Sequence, residues 1–164
     1  MNLRIGQGFD VHAFGPGEHI MLGGVRIAYN RGFVAHSDGD VLLHALTDAI
    51  LGAAALGDIG QWFPDTDSQY KDADSAALLA AVWQHLCEEG WGLVNADITV
   101  LAERPKLGPY QAEIRARIAQ ILDVTEAQIG LKATTTEALG FVGRQEGVAC
   151  QAVVLLDRDS SPNH

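Results

Sequence analysis

Residues 35–60 read Ala35-His36-Ser37-Asp38-Gly39-Asp40-Val41-Leu42-Leu43-His44-Ala45-Leu46-Thr47-Asp48-Ala49-Ile50-Leu51-Gly52-Ala53-Ala54-Ala55-Leu56-Gly57-Asp58-Ile59-Gly60. A polar, glycine-broken opening gives way to a run that is apolar on nearly every side. That pattern predicts a buried helix that opens at His36 to Asp40 and continues to about Ala55. Ser37 or Asp38 is the expected N-cap, because either side chain can accept from the free N–H groups of a first turn. Within the helix Asp40, His44 and Asp48 are spaced i, i+4, i+8 and stack into one polar stripe. The stripe has two readings. One is a capped, salt-bridged helix holding a satisfied core histidine; the other is a metal ligand whose acidic neighbours orient its imidazole.

Toward the N-terminus, Leu3 to Val11 has the apolar character of a first strand, and Gly15-Pro16-Gly17 breaks it. In a strand, residues i and i+2 project to one face, so Asp10 and His12 can converge on one ion. A solvated strand rim would explain the pair equally. With His44 as a third donor, two histidines and one carboxylate make the type of set that binds catalytic zinc with a position left open. Ile20 to Leu22 and Val25 to Ile27 flank Gly23-Gly24, the pattern of a tight hairpin.

Toward the C-terminus, Gly57 to Lys71 has many turn formers and reads as a long loop. Asp58, Asp65 and Asp67 crowd it with acid, which suits turn chemistry or a binding loop for hydroxyls or a hard cation. A second helix is expected from Asp74-Ser75 to Gly90, and a strand from Leu93 to Ala102. A third helix follows Pro105, with Ile114, Ile118, Ile121 and Leu122 on one face. Ile129 to Ala133 and Val148 to Leu156 are the last strands. Between them, Lys132-Ala133-Thr134-Thr135-Thr136-Glu137 offers hydroxyls and charge for phosphate and a carboxylate for magnesium, or simply a strand end entering a cap. Strands and helices mix without a regular repeat. The expected fold is α+β: a mixed β-sheet with helices on one face and the other face free for partners.

The chain has 164 residues, enough for one domain, expected over residues 1–157 with a polar tail at 158–164. A net charge of -10 argues against a nucleic-acid partner, which needs a clustered basic surface. No apolar stretch reaches the about 20 residues that cross a bilayer, so no membrane association is expected. The first residues lack the charged and apolar regions of a secretory signal. The cytoplasm is the expected compartment, with Cys87 and Cys150 as buried thiols.

Several segments together resemble the 2-C-methyl-D-erythritol 2,4-cyclodiphosphate synthase family, from Leu3 to Leu156. They are RIGQGFDVHAFG (4–15), LGGVRI (22–27), the stretch from Ala35 through FPDTD to Asp67, KDADS (71–75), PKL (105–107) and KATTTEALGFVGRQEG (132–147). The family closes 4-diphosphocytidyl-2-C-methyl-D-erythritol 2-phosphate on itself: the 2-phosphate attacks the β-phosphorus, CMP leaves, and a cyclic diphosphate forms. The resemblance implies zinc on Asp10, His12 and His44, and a magnesium or manganese ion on Glu137. It implies transition-state roles for His36 and Thr135. Ser37, Asp58, Ile59, Gly60 and the loop Phe63, Pro64, Asp65, Thr66, Asp67 would receive the methylerythritol phosphate. Ala102, Glu103, Arg104, Pro105, Lys106 and Leu107, with Thr134, Thr135 and Thr136, would receive the cytidyl nucleotide. It further implies a homotrimer with active sites between subunits and the sheets facing a threefold axis. Phe9, Phe141, Arg144 and Glu146 match positions around a central cavity for an isoprenoid diphosphate. Gln7, Glu103 and Arg104 depart from the family pattern. A zinc-dependent phosphodiesterase and a non-catalytic trimer that binds isoprenoid diphosphates are the competing readings.

Overall fold

The N-terminal strand runs further than its pattern predicts. In the computed structural model, which describes residues 2–158, β1 covers Leu3–Gly15 and pairs antiparallel with β7 (Gly147–Arg158), from Leu3↔Asp157 to Ala13↔Gly147. β7 pairs antiparallel with β5 (Trp91–Leu101), and β5 pairs parallel with β6 (Ile129–Thr134). A two-residue strand that the sequence did not signal, β4 (Gly32–Phe33), adds to the free edge of β1. The mixed sheet has the order β4-β1-β7-β5-β6. α1 (Val41–Ala53) lies over β1 and β7, α3 (Ser75–Glu88) against β5, and α4 (Gln111–Leu122) against β6. The expected α+β layering is therefore present.

Strand alternation divides the sheet into two unlike faces. Ala96, Ile98, Val100, Cys150, Ala152, Val154 and Leu156 turn inward into the core. On the other face Leu3, Ile5, Phe9 and Val11 are exposed, Ile5 at 73%. A row of this kind is more apolar surface than an isolated soluble chain usually leaves uncovered.

Gly6 and Gly8 set how closely α1 approaches. A Cβ on Gly8 would meet the Ala45 carbonyl oxygen, and one on Gly6 that of Ala49. Neither obstacle can rotate away, because both are helix backbone. Gly8→Ala is expected to cost about 3 kcal/mol, read as a lower urea midpoint with an unchanged slope.

The hairpin forms as expected, with β2 (His19–Leu22) and β3 (Val25–Ala28) joined by Gly23 and Gly24 at φ 62 and 74. Both N–H groups of that turn donate to the Asp40 carboxylate, at 2.9 and 2.7 Å. Asp40 also accepts from Leu43 N, so it is the N-cap of α1 and not Ser37 or Asp38. Gly39, at φ 73, turns the chain so that Asp40 enters the core with no exposed surface.

The stretch 57–71 is more regular than the long loop expected. It contains α2 (Ile59–Trp62) and a 3-10 turn at Ser68–Tyr70, capped by Asp58 and Asp67. The abundance of turn formers there reflects those caps. A further short helix, α5 (Gly140–Gly143), precedes β7. The strand β7 continues through Asp157 and takes in Arg158, the first residue of the expected polar tail, whose N donates to Asn2 O and whose Nε donates to Glu89 O. Residues 159–164 of that expected tail lie outside the described residues. Cys150 is buried as expected, whereas Cys87 is exposed on α3. Among the described residues, no helix is long and apolar enough to cross a membrane.

Candidate active site

The seam between β1 and α1 opens into the site. Asp10 and His12 continue the inward-facing register of Gly6 and Gly8, and α1 presents His44 to them. His12 Nε2 lies 3.2 Å from His44 Nδ1 and 3.1 Å from Asp10 Oδ2, and His44 Nδ1 lies 3.2 Å from Asp10 Oδ2. Three donor atoms thus form a nearly equilateral triangle. Ligands about 2.0–2.1 Å from a tetrahedral ion stand about 3.3 Å apart, so the spacing and the N, N, O donor set both fit one divalent metal ion. Asp10, His12 and His44 form a metal-binding site.

Burial pushes the Asp10 carboxyl up, but the hydrogen bonds and charges of His12 and His44 outweigh it and hold the pKa at about 2. Burial pulls His44 down, and Asp10 overcomes that to leave it raised. The acidic stripe predicted along α1 does not orient His44. Asp40 is taken by the hairpin and helix cap, and Asp48 accepts from Ile59 N at 2.7 Å, tying α2 to α1. Behind the imidazole stand two serines instead: Ser75 Oγ at 2.7 Å and Ser37 Oγ at 3.3 Å from Nε2.

The triad sits in a cleft of about 200 Å³ lined also by His36, Ser37, Ile59, Gly60, Phe63 and Asp65. All were candidates from sequence. Tyr70 and Leu78 line it too and were missed. Tyr70 packs edge-on to Phe63 at 5.2 Å, and an aromatic at the end of the acid-rich loop was the available signal. Asp58, exposed, and Asp67, half-buried, serve as turn caps, and they do not line the cleft, nor do Pro64 and Thr66.

A second cleft of about 200 Å³ opens at the carboxyl ends of the parallel pair β5 and β6, the usual ligand position for parallel strands. Ala102, Pro105, Lys106, Leu107, Thr134 and Thr135 line it, with Gly108, Gln111 and Ala133. Glu103 turns away to accept from Thr136 N at 3.0 Å and Ala138 N at 3.3 Å. It thereby holds the turn in which Glu137 and Ala138 take φ 55 and 61. Arg104 and Thr136 are not in the cleft lining either, and Glu137 is exposed beside it. Lys132, expected to bring charge to this end, pairs at 2.6 Å with Asp97. Arg144 pairs with Glu146 at 3.2 Å near the exposed Phe141. The two clefts share no lining residue, so a single chain presents two separate clefts.

Residues 3–157 match the model of the YgbB family. The chain belongs to the YgbB family. The 2-C-methyl-D-erythritol 2,4-cyclodiphosphate synthase of Xanthomonas axonopodis pv. citri (strain 306) is 59% identical over 162 residues, which cover 99% of this chain and 98% of that one. The enzyme of the same name from Xanthomonas oryzae pv. oryzae (strain PXO99A) is 61% identical over 157 residues, 96% of each. Among solved structures, IspF of Plasmodium falciparum in complex with CDP superposes with a TM-score of 0.85 at 34% identity, over 97% of this chain and 98% of that one. The bifunctional IspDF of Campylobacter jejuni gives 0.92 at 49% identity, over 96% of this chain but 43% of its own. The YgbB chain described here thus spans less than half of that two-function protein.

Proposed function

We propose that this YgbB protein converts 4-diphosphocytidyl-2-C-methyl-D-erythritol 2-phosphate to 2-C-methyl-D-erythritol 2,4-cyclodiphosphate and CMP, in isoprenoid biosynthesis. The observation that carries the reading is the Asp10, His12 and His44 triangle at one end of a cleft sized for a small polyol phosphate. Near-full-length identity to named synthases supports it.

The nucleophile is an anionic phosphate, so no strong base is required of the protein. Its task is to fold the substrate into line and to offset crowded negative charge. Asp10, His12 and His44 would hold zinc, and Glu137 magnesium or manganese, ions that would supply Lewis-acid stabilisation of the diphosphate. His36 and Thr135 donate hydrogen bonds to phosphate oxygens as charge moves onto them. Ser37 donates to the methylerythritol phosphate, whose hydroxyls donate to the carboxylates of Asp65 and of Asp58, the neighbour of Ile59 in the cleft lining. Ile59 and Phe63 exclude water from the reacting phosphates. Backbone groups of Ala102 to Leu107 and of Thr134 to Thr136 hold the cytidyl nucleotide; that the ligand is a cytidyl nucleotide is supported by the CDP complex of the Plasmodium falciparum relative. Two separate clefts per chain, and an uncovered apolar sheet face, support a trimer in which neighbouring chains complete each site. Phe9, Phe141 and Arg144 would then surround the threefold axis, where an isoprenoid diphosphate could pair with Arg144 in place of Glu146.

Product mass separates this reading from a metal-dependent phosphodiesterase. Cyclisation yields a product equal to substrate minus CMP, with no water added. A product heavier by one water would overturn the cyclase.

A further inference from the structure

We infer that Ser75 and Asp38 are positioning residues that fix His44 as a metal ligand by dictating which of its nitrogens carries the proton. The inference rests on the metal reading of the Asp10, His12 and His44 triangle. Ser75 is buried at the start of α3, far in sequence from the triad. Its Oγ donates to Asp38 Oδ1, a short hydrogen bond, and lies 2.7 Å from His44 Nε2. A hydroxyl has a single proton. Since Asp38 takes it, Ser75 can only accept from His44, so Nε2 must be the protonated nitrogen. The lone pair is then on Nδ1, the atom that faces Asp10 and His12. Asp38 is held as acceptor in turn, because Ser75 N and Asp40 N both donate to its carboxylate, at 3.0 and 3.1 Å. Ser37 Oγ, at 3.3 Å from Nε2 and accepting from Gly39 N, has a second lone pair that can accept from the same proton. The chain Asp38–Ser75–His44 does here what a carboxylate does directly behind many metal-bound histidines.

Competition with a chromophoric chelator for zinc tests this on the purified apoprotein. Ser75→Ala is expected to weaken zinc binding about tenfold or more, and Asp38→Asn similarly. Ser75→Thr, which restores the hydroxyl, should stay within about threefold of the parent. Combining Ser75→Ala with Asp38→Asn should weaken binding no further than Ser75→Ala alone, since one relay is broken once. Long-range proton–nitrogen NMR should show a protected His44 Nε2–H that Ser75→Ala loses. A purely structural Ser75 would lower the melting temperature and leave zinc affinity unchanged. Zinc affinities of both single variants within about twofold of a zinc-binding parent would overturn the inference alone. A parent that binds no zinc, or binds it equally after His44→Ala, would overturn the metal reading itself and this inference with it.

Discussion

His44→Ala yields a folded protein that has lost its metal and its turnover. The imidazole supplies one corner of the donor triangle, and its loss leaves Asp10 and His12 as a two-donor pair. Charge stabilisation by the metal is worth several kcal/mol at a phosphoryl centre, so a fall of at least about a thousandfold in kcat is expected. Folding should survive, because His44 borders the cleft and the neighbouring helix contacts run through Ala45, Ala49 and Ala53 over Gly6 and Gly8. Metal analysis, sedimentation and kinetics on one preparation check the prediction. A metal-free His44→Ala protein with full activity would remove the triad from the mechanism.

Asp40→Ala has the opposite profile: its main effect is on stability. The Asp40 carboxylate accepts from Leu43 N, Gly23 N and Gly24 N, and the residue has no exposed surface. Alanine removes the helix cap and strands two hairpin donors, the buried Gly23 N and the half-buried Gly24 N. At about 1–3 kcal/mol for each buried group left unpaired, a loss of about 4 kcal/mol is expected. For a domain of this size that lowers the melting temperature by about 10 °C. Asp58→Ala makes the control, since Asp58 also caps a helix but is exposed; its loss should cost less than about 1 kcal/mol. Equal effects of the two substitutions would show that burial is not what makes Asp40 important.

The contrast between these aspartates explains what sequence could and could not convey. Strand alternation places Asp10 and His12 on one face whatever surrounds them, and two glycines between apolar pairs specify a hairpin by local backbone preference. The apolar run after Asp40 forms a helix for the same local reasons. Helical spacing likewise puts Asp40, His44 and Asp48 on one side of α1, but it says nothing of what competes for the carboxylates. Backbone N–H groups of the hairpin and of α2 claimed them, and a buried donor without a partner costs more than a carboxylate–imidazole pair returns. Ser75 was hidden for a related reason. It reads as an ordinary helix start, and only the packing of α3 against the 36–40 turn brings its hydroxyl to His44. Lys132 shows the reverse case, where a charge that looked available for phosphate is satisfied across the strand pair by Asp97.

The decisive property of the protein is whether it cyclises its substrate by a metal-dependent route. Phosphorus NMR of the purified protein with 4-diphosphocytidyl-2-C-methyl-D-erythritol 2-phosphate and magnesium, followed before and after removal of bound metal by a chelator, measures both at once. The prediction is CMP together with two coupled cyclic-diphosphate resonances, absent after chelation and restored by added zinc. Linear phosphates alone, or no reaction with zinc confirmed in the protein, would contradict it.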